Sequence, residues 1–514
     1  MIRFFFIFCL FFFGFNLFSQ TSKKFEKEDA DEHFAHHNYL MALPIYKEVL
    51  KKDKENSDIQ YRIAECYLNT NLNKVEAIKY LEFCSKVPKF TSEVWLKLGN
   101  AYRIGNKLEE AKNAFEKYKE LEPKKKKIAD REIEICNNAK SLMLNPVNVS
   151  FTNLGKEINS EFADYYPFIT QDESFLAFTT RRKGQTAGRV ESDGYYASDV
   201  YTSTLEKGKW SKAENIGMKI NSSLDEQVVG MKPDGSEMLI YIDHIDKFGD
   251  IYSSIKKNGS YLKYTPFPEN INNKTEHSAS ISSDGNSLFI VRAEEKDAQT
   301  DIYICRKLPS GMWSEPLKIG DDINSIYNED FPYLSADGVT LYFSSQGHNT
   351  MGGFDLFKSV WNQEDNTWTK AVNLGYPVNT TDDERSICIT PDNRVGYVSA
   401  LRPIGKGDLD IYRVRFNNVD QKLTLFIGNV ELGDSLNQPK EFVVNVLAIN
   451  EQSHEEFSFA TNPTNGKLVM ALPFGTYNIS VTADGYAELK DKISVSDLGL
   501  AISEEKKNYK LKKN

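Results

Sequence analysis

Between Val149 and Arg415, one pattern of apolar and polar positions occurs five times, at intervals of 50 to 60 residues. Within each copy, short runs of alternating apolar and polar residues are separated by polar turns, which is the pattern of antiparallel strands. Each copy has room for about four such strands, and small sheets repeated at this period predict a β-propeller. Each copy also contains an aspartate followed by an aliphatic and an aromatic residue. These triplets begin at Asp199, Asp250, Asp301, Asp355 and Asp410.

A polar turn precedes each triplet. In three copies this turn is Asp-Gly, as at Asp234 and Gly235, and in the fifth copy Asn393 stands where the others have glycine. Glycine and asparagine are the residues that best tolerate positive φ. We therefore expect positive φ at Asn393.

The fifth copy lacks the last strand of the repeat. Earlier copies end in sequences such as Asn373-Leu374-Gly375, whereas nothing similar follows Tyr412. The missing sequence is found before the first copy, as Asn153-Leu154-Gly155, preceded by Val149 and Phe151. We therefore expect the N-terminal strand to complete the last sheet and close a ring of five blades. Six blades is the alternative, if the flanking segments form a further sheet.

The segments on either side follow other periodicities. Residues 23 to 143 place apolar residues three and four apart, as helices do, whereas residues 421 to 514 contain short strand-like runs. The predicted fold is thus multidomain, with an α part and an all-β part. The expected ranges are a signal peptide at 1–19, a helical array at 23–143, a propeller at 148–415 and a small sandwich at 421–514.

Length and charge narrow the functional classes. A chain of 514 residues exceeds one compact core, and a net charge of −10 argues against nucleic acid as a partner. Five cysteines remain beyond the signal, an odd number without CxxC spacing, so we expect buried single thiols rather than a disulfide framework.

The N-terminus has the form of a secretory signal. Arg3 gives the positive end, Phe4 to Phe15 the apolar run, and Ser19 a small residue before the predicted cleavage site. The run is shorter than the roughly 18 to 20 residues that a membrane span requires, and no later segment is apolar enough. The mature chain is therefore expected outside the cytoplasm, without a membrane span.

One acidic residue follows an asparagine in each repeat at an offset of five residues, or four in the third copy. If the next strand is the innermost of its sheet, the five carboxylates lie around one mouth of the channel. They would then hold a cation or ligand, or be satisfied by structural hydrogen bonds to the neighbouring blade. These acids are Asp164, Glu226, Glu276, Glu329 and Glu384.

Three family resemblances accompany these patterns. Trp95, Leu98, Gly99 and Tyr102, followed by Ala111, Phe115 and Pro123, resemble a tetratricopeptide repeat, although Tyr118 departs from the family preference for a small residue. The five copies resemble the Pro-Asp, WD-like propeller repeats of bacterial envelope proteins. The sequence from Leu472 to Ile479, with its Gly-Thr-Tyr corner, resembles the carboxypeptidase-regulatory, transthyretin-like sandwich.

In this order, the modules are similar to the periplasmic part of OmpA-type envelope proteins, including the component that tethers the type nine secretion system to peptidoglycan. No OmpA-like domain is found in the sequence, so we expect no direct peptidoglycan binding. The resemblance implies a scaffold in the periplasm that binds envelope proteins, with outer-membrane association through a partner.

Motifs of catalysis are not found. The chain has no Gly-x-Ser-x-Gly elbow, no His-Glu-x-x-His and no phosphate-binding loop. The expectation is therefore a non-enzymatic protein without a cofactor. The alternative is a propeller that binds or cleaves a glycan or peptide at the channel mouth.

Overall fold

The computed structural model describes residues 27–244, 247–295, 298–419, 423–433, 442–451, 454–495 and 504–514. The predicted signal peptide, residues 1–19, lies outside the described residues. None of the helices within these ranges combines the length and the apolar character that a membrane crossing requires.

The described chain begins with consecutive helices, each packed against the next. Gly99 shows how closely two of them approach, because a Cβ atom at this position would lie 2.4 Å from the Phe115 ring. Only glycine therefore fits there. The helices are α1 Lys27–Ala35, α2 Tyr39–Lys52, α3 Ser57–Leu68, α4 Ala77–Cys84, α5 Glu93–Ile104, α6 Leu108–Leu121 and α7 Lys126–Leu144, with 3-10 turns at Lys74–Glu76 and Pro123–Lys125.

Five antiparallel sheets follow, one for each sequence repeat. The first strands of these sheets contact one another in a closed cycle, so the arrangement is propeller-like. The first sheet contains β2 Asp164–Ile169, β3 Phe175–Thr180, β4 Asp199–Glu206, β5 Lys209–Trp210 and β6 Glu214–Asn215. The second contains β7 Asp225–Met231, β8 Glu237–His244, β9 Lys247–Lys257, β10 Ser260–Tyr261 and β11 Thr265–Pro266.

The remaining three sheets have the same order. The third contains β12 Thr275–Ile281, β13 Ser287–Ala293, β14 Thr300–Arg306 and β15 Leu317–Lys318. The fourth contains β16 Glu329–Leu334, β17 Thr340–Ser345, β18 Asp355–Asn362, β19 Thr367–Trp368 and β20 Val372–Asn373. The fifth contains β21 Ile387–Ile389, β22 Val395–Ala400, β23 Asp410–Phe416 and, from before the first repeat, β1 Val149–Asn153.

The predicted closure by the N-terminal strand is confirmed. β1 pairs antiparallel with β23, from Val149 opposite Phe416 to Asn153 opposite Tyr412. The positive φ expected at Asn393 is also found, at 58°.

Five asparagines, one in each repeat, attach consecutive sheets to one another. Each side-chain amide accepts the N–H of the residue after the triplet aspartate and donates to the carbonyl of that same residue. For Asn379 and Leu356 both distances are 2.8 Å. The clamped residues are Ile411 by Asn159, Val200 by Asn221, Ile251 by Asn272, Ile302 by Asn324 and Leu356 by Asn379.

The C-terminal part is formed by two small sheets around a shared apolar core. The hydroxyl of Tyr477 at the predicted corner donates to the carbonyl of Pro473 at 3.0 Å. One sheet contains β24 Thr424–Leu432, β27 Lys467–Leu472, β30 Glu504–Lys506 and β31 Tyr509–Leu511; the other contains β25 Asn445–Asn450, β26 Glu456–Ala460, β28 Gly475–Thr482 and β29 Leu489–Val495.

The expectation of buried single thiols is confirmed for the five cysteines beyond the signal, which are all free and buried. Burial raises the pKa of the Cys66 thiol to about 12 and that of Cys388 to about 11. At neutral pH these groups are protonated and therefore weak nucleophiles.

Candidate functional site at the channel mouth

The helices cover part of one end of the ring. In each antiparallel sheet, the loop before the first strand and the loop between the second and third strands lie at the same end. The contacts from α3 to α7 and their connecting segments fall on loops of this kind in the fourth and fifth sheets. We call this end of the ring the channel mouth.

Arg103 on α5 is the most deeply buried of these contacts, with 8 % of its surface exposed. Its Nη1 donates to the carbonyl of Thr381 at 3.0 Å, and its Nε lies 3.6 Å from a Glu132 carboxylate oxygen. In return, the hydroxyl of Thr381 donates to the carbonyl of Ile104 at 3.3 Å. The loop that enters the fifth sheet is thus bonded to α5 in both directions.

α7 binds the fourth sheet. Arg131 donates to the carbonyls of Gln346 and His348 at 2.8 and 3.1 Å, and its guanidinium lies 4.6 Å from the centre of the Tyr327 ring. Asn138 donates to the carbonyl of Thr350 at 3.1 Å. These bonds use backbone acceptors, so the position of the helix depends on loop geometry rather than on a matching side chain.

Two polar contacts come from the segment between α3 and α4. Asn71 donates to Asp408 at 2.6 Å, and Lys74 forms an ion pair with Asp382 at 2.6 Å. The Lys74 side chain is 14 % exposed and the Asp382 side chain 25 %, so solvent screens this pair only in part.

We expect Lys74→Glu to weaken the attachment of the helices, because two carboxylates would then face each other. The double variant Lys74→Glu/Asp382→Lys should recover about 1 kcal/mol of the loss in unfolding free energy. Denaturant unfolding of the wild type, both single variants and the double variant measures this coupling. If the loss of unfolding free energy in the double variant equals the sum of the losses in the two single variants, Lys74 and Asp382 do not interact directly.

A cavity of about 360 Å³ lies between the helices and the mouth. Its volume is within the range of small-molecule sites. Three tyrosines line it together with charged and amide side chains, so it offers both stacking faces and hydrogen-bonding groups. The lining includes Tyr165, Tyr166, Tyr195, Gln227, Arg385 and Asn69.

The five aligned acids lie at the starts of the first strands or directly before them, and all are buried. Four of them accept hydrogen bonds from the backbone N–H and the hydroxyl of a serine or threonine four residues earlier; for Glu384 and Thr380 the distances are 2.8 and 2.7 Å. The same contacts join Asp164 to Ser160, Glu226 to Ser222 and Glu329 to Ser325.

Glu276 differs because the third repeat is one residue shorter at this point. Its carboxylate accepts from the N–H of Lys274, and Arg292 pairs with it at 2.9 Å. All five acids are thus engaged in local hydrogen bonds. Within the ranges that the structure describes, no group of three or more histidine, cysteine or acidic side chains is arranged to hold a metal ion.

Three of the five residues directly after these acids form a charged cluster, which the sequence pattern did not predict. His277 lies 3.4 Å and Arg385 3.7 Å from the carboxylate of Asp330, so three adjacent sheets meet at one charged cluster. One signal in the sequence could have found them. Positions that build the scaffold have the same residue type in every repeat, whereas the position directly after the aligned acid has a different residue in each of the five repeats. The five residues are Tyr165, Gln227, His277, Asp330 and Arg385.

The charges of this cluster stabilise one another. Burial alone would raise the pKa of Asp330, but His277 and Arg385 hold it below its usual value. Burial would lower the pKa of His277, and the Asp330 carboxylate outweighs this effect and raises it. The cluster therefore favours charged Asp330 and protonated His277.

Two aromatic residues pack against each other beside the charged cluster. The Tyr166 and Phe331 rings have their centroids 4.0 Å apart. Both residues have positive φ, 53° and 43°, in the left-handed region that bulky side chains rarely adopt. Such strain persists only where the surrounding structure imposes it, and here both residues lie at irregularities in strand pairing.

A second cavity, of about 680 Å³, lies between the first and fifth sheets and the C-terminal sandwich. Trp210, Phe474 and Tyr477 contribute aromatic surface. Arg413 pairs with Glu173 at 2.8 Å on its wall.

No protein-family model matches the chain, and no curated protein matches it. Solved structures with a similar fold include a putative TolB from Agrobacterium tumefaciens, with 16 % identity, 53 % of this chain and 98 % of that chain covered, and a TM-score of 0.29. TolB from Acinetobacter baumannii is 13 % identical over 59 % of this chain and 64 % of that chain, with a TM-score of 0.30. At these values the likeness concerns the propeller-like fold alone.

Glycoside hydrolases are also among the similar structures. Sucrose-6-phosphate hydrolase from Lactobacillus gasseri is 10 % identical over 73 % of this chain and 91 % of that chain, with a TM-score of 0.35. The prediction that this chain is not an enzyme is therefore wrong, because several of the similar structures are hydrolases and the fold does not exclude an enzyme. Missing sequence motifs gave no ground for it, since propeller sites assemble from dispersed residues.

Proposed function

We propose that the chain is a periplasmic scaffold of the cell envelope, which binds other envelope proteins at a surface shared by the helices and the channel mouth. In this proposal the helices are a tetratricopeptide-like array, the five sheets are the blades of a five-bladed propeller, and the C-terminal sheets are a carboxypeptidase-regulatory-like sandwich. The domain ranges expected from the sequence belong to the same proposal. So does a link to outer-membrane or type nine secretion assembly.

The observation that supports this proposal most is the attachment of the helices to the mouth. Arg103, Arg131 and Asn138 all donate to backbone carbonyls of the ring, over sequence separations of more than 200 residues. Such bonds hold the surface of the helices and the surface of the channel mouth in one fixed orientation. A binding partner can therefore contact both as a single surface. Fixed surfaces bind with a smaller entropic cost than surfaces that must be ordered on binding.

Affinity capture from envelope extracts tests the scaffold. We expect the full chain to retain a defined set of envelope proteins and Arg103→Ala to retain less of the same set. Equal recovery by the variant, once hydrogen exchange shows that its helices have detached, would contradict a shared surface.

The cavity favours a second candidate function, the binding of a glycan or peptide at the mouth. Tyr165, Tyr166 and Tyr195 supply aromatic faces, and Arg385 retains exposed donors, since 40 % of its side chain is exposed. Titration of the protein with envelope glycans and with peptides, monitored by calorimetry, tests it. Binding that disappears in Tyr195→Ala, with the fold preserved, is the expected result for this candidate.

A further inference from the structure

Each sheet-to-sheet junction brings two carboxyl groups together, and in four of the five junctions both are buried. At three junctions the backbone N–H of the acid donates to the carbonyl just before the triplet aspartate of the preceding sheet. Glu384 donates to Phe354 at 2.7 Å, Glu226 to Ser198 at 3.1 Å and Asp164 to Leu409 at 2.8 Å. The acid and the aspartate are therefore close neighbours. The five pairs are Asp410 with Asp164, Asp199 with Glu226, Asp250 with Glu276, Asp301 with Glu329, and Asp355 with Glu384.

Three junctions contain their own cation. Arg182 pairs with Asp164 at 2.5 Å, and Arg292 pairs with Glu276 at 2.9 Å. At the junction between the third and fourth sheets, Lys318 pairs with Asp301 at 2.8 Å. A positive side chain thus offsets the repulsion between the two carboxylates in each of these junctions.

The other two junctions contain no such partner. Within the described chain, Asp199, Glu226, Asp355 and Glu384 form no ion pair, and all four are buried. Two like charges cannot both remain ionised in a buried site without a counter-charge. One oxygen of each of Asp199, Asp301, Asp355 and Asp410 is buried without a hydrogen-bond partner. Each of these oxygens can accept a hydrogen bond from a protonated neighbour. The absence of a cation therefore distinguishes the junctions of Asp199 and Asp355 from the other two.

We propose that the two junctions without an arginine or lysine, Asp199 with Glu226 and Asp355 with Glu384, each bind one proton at neutral pH, shared by the two carboxyl groups. This inference goes beyond the proposed function and does not depend on the identity of a partner. The ligand of these two sites is the proton itself.

The electrostatics of the two pairs agree with this assignment. Burial raises the pKa of Glu384 to about 8 and that of Asp355 to about 7, and the charge of Asp355 adds to the shift at Glu384. Burial likewise raises the pKa of Glu226 to about 7. Hydrogen bonds from Thr380 and Ser222 oppose these shifts without cancelling them.

The charged groups that face the two pairs leave the proton in place. At the fifth sheet, Asp382 adds negative charge, while the cations Arg103 and Arg402 donate to the carbonyls of Thr381 and Pro377 instead of to either carboxylate. At the second sheet, the charged neighbour of Glu226 is Asp225, whose carboxylate pairs with Arg189. Tyr264 also lies near Glu226, and because burial raises the pKa of its hydroxyl, it stays neutral and offers no counter-charge.

The site at the fifth sheet lies directly beneath the attached helices. Thr381 and Asp382, which bind Arg103 and Lys74, follow the residue that hydrogen-bonds to Glu384. The carbonyl of Thr350 accepts a hydrogen bond from Asn138. The next residue, Met351, donates its backbone N–H to the carboxylate of Asp355. Loss of the proton would place a second charge between these two loops, and we expect it to loosen the helices.

The sign of the pH effect follows from linkage. The folded state retains protons that the unfolded state has released above the ordinary carboxyl pKa, so stability falls as pH rises towards about 8. Each retained proton changes the folding equilibrium constant by up to about tenfold per pH unit within this window. His277 contributes in the same direction because its pKa is also raised, and so do Glu276, Glu329 and Asp410, whose pKa values burial raises. The wild type alone is therefore not a sufficient test.

The test compares unfolding of the wild type and Glu384→Gln between pH 6 and pH 9. Glutamine mimics the protonated carboxyl group, so we expect the variant to lose less stability across this range and to exceed the wild type at pH 9. Glu226→Gln should behave in the same way. The matched control is Glu276→Gln, which leaves Arg292 without its carboxylate and should be less stable at every pH.

Infrared difference spectra give a second measurement that requires no variant to fold. The wild type should show protonated carboxyl absorption at pH 7 that disappears by pH 9. Over the same interval, the hydrogen-exchange protection factors of residues 346–350 and 379–383, corrected for the intrinsic rise of exchange with pH, should fall. An unchanged pH dependence in both glutamine variants would overturn the proposal. So would carboxyl absorption that is already lost at pH 6, or a metal ion found bound at these junctions in purified protein.

Discussion

Asn379→Ala is expected to lower the unfolding free energy of the ring by about 3 kcal/mol. The side chain of Asn379 satisfies both the buried N–H and the buried carbonyl of Leu356, and it also donates to Asn373 at 2.8 Å. Alanine would leave two buried backbone groups without partners, and each such group costs roughly 1 to 3 kcal/mol. Chemical denaturation measures the loss.

The matched control is Asn417→Ala, at an exposed asparagine of the same ring. We expect this change to stay within about 0.5 kcal/mol of the wild type. If the two variants were equally stable, the asparagine clamps would not be what connects neighbouring sheets.

Arg103→Ala is expected to detach the helices from the mouth at a cost of about 2 to 3 kcal/mol. The change removes the donor to Thr381 and leaves Glu132 partly buried without its cation. Hydrogen exchange should accelerate in the loop of residues 379–383 and in α5. The rest of the ring should keep its protection, because its sheets do not depend on this contact.

Arg62→Ala serves as the control for this variant. Arg62 lies on α3, its side chain is 45 % exposed, and it pairs with Glu65 within the same helix. It should leave exchange in residues 379–383 unchanged. Equal acceleration in both variants would indicate general loosening of the helices rather than loss of a specific contact.

The sequence predicted the ring well because its determinants are periodic and local. Each of these determinants can be recognised within a single repeat: the turn at Asn393, the triplet aspartates and the missing final strand. The closure by β1 followed from comparing the ends of the repeats, and the structure confirms it. In the tail, the predicted strand-like runs were 423–427, 442–449, 468–472, 477–481, 493–495 and 509–511. They did not include β26, although its apolar residues alternate, or the short β30.

The site was harder to predict for two physical reasons. The attachment of α5 to Thr381 joins residues 278 positions apart, and no periodic pattern records such a contact. The aligned acids were identified, but whether a carboxylate pair has a cation depends on residues such as Arg182 and Arg292, which occur in only some repeats. Periodicity identifies the residues that all repeats share, whereas the charged residues of the candidate site occur in only some repeats.

In the proposed function, the helices and the channel mouth form one surface for an envelope partner. Photo-crosslinking in cells tests this surface, with the reactive residue at Asn69 or Gln227, which line the cavity, and at Lys257 on the opposite end of the ring as the control. We predict that Asn69 and Gln227 capture the same envelope protein, that Lys257 captures none, and that Arg103→Ala weakens both adducts. Capture from Lys257 alone, or adducts at Asn69 and Gln227 that Arg103→Ala leaves unchanged, would contradict a shared surface.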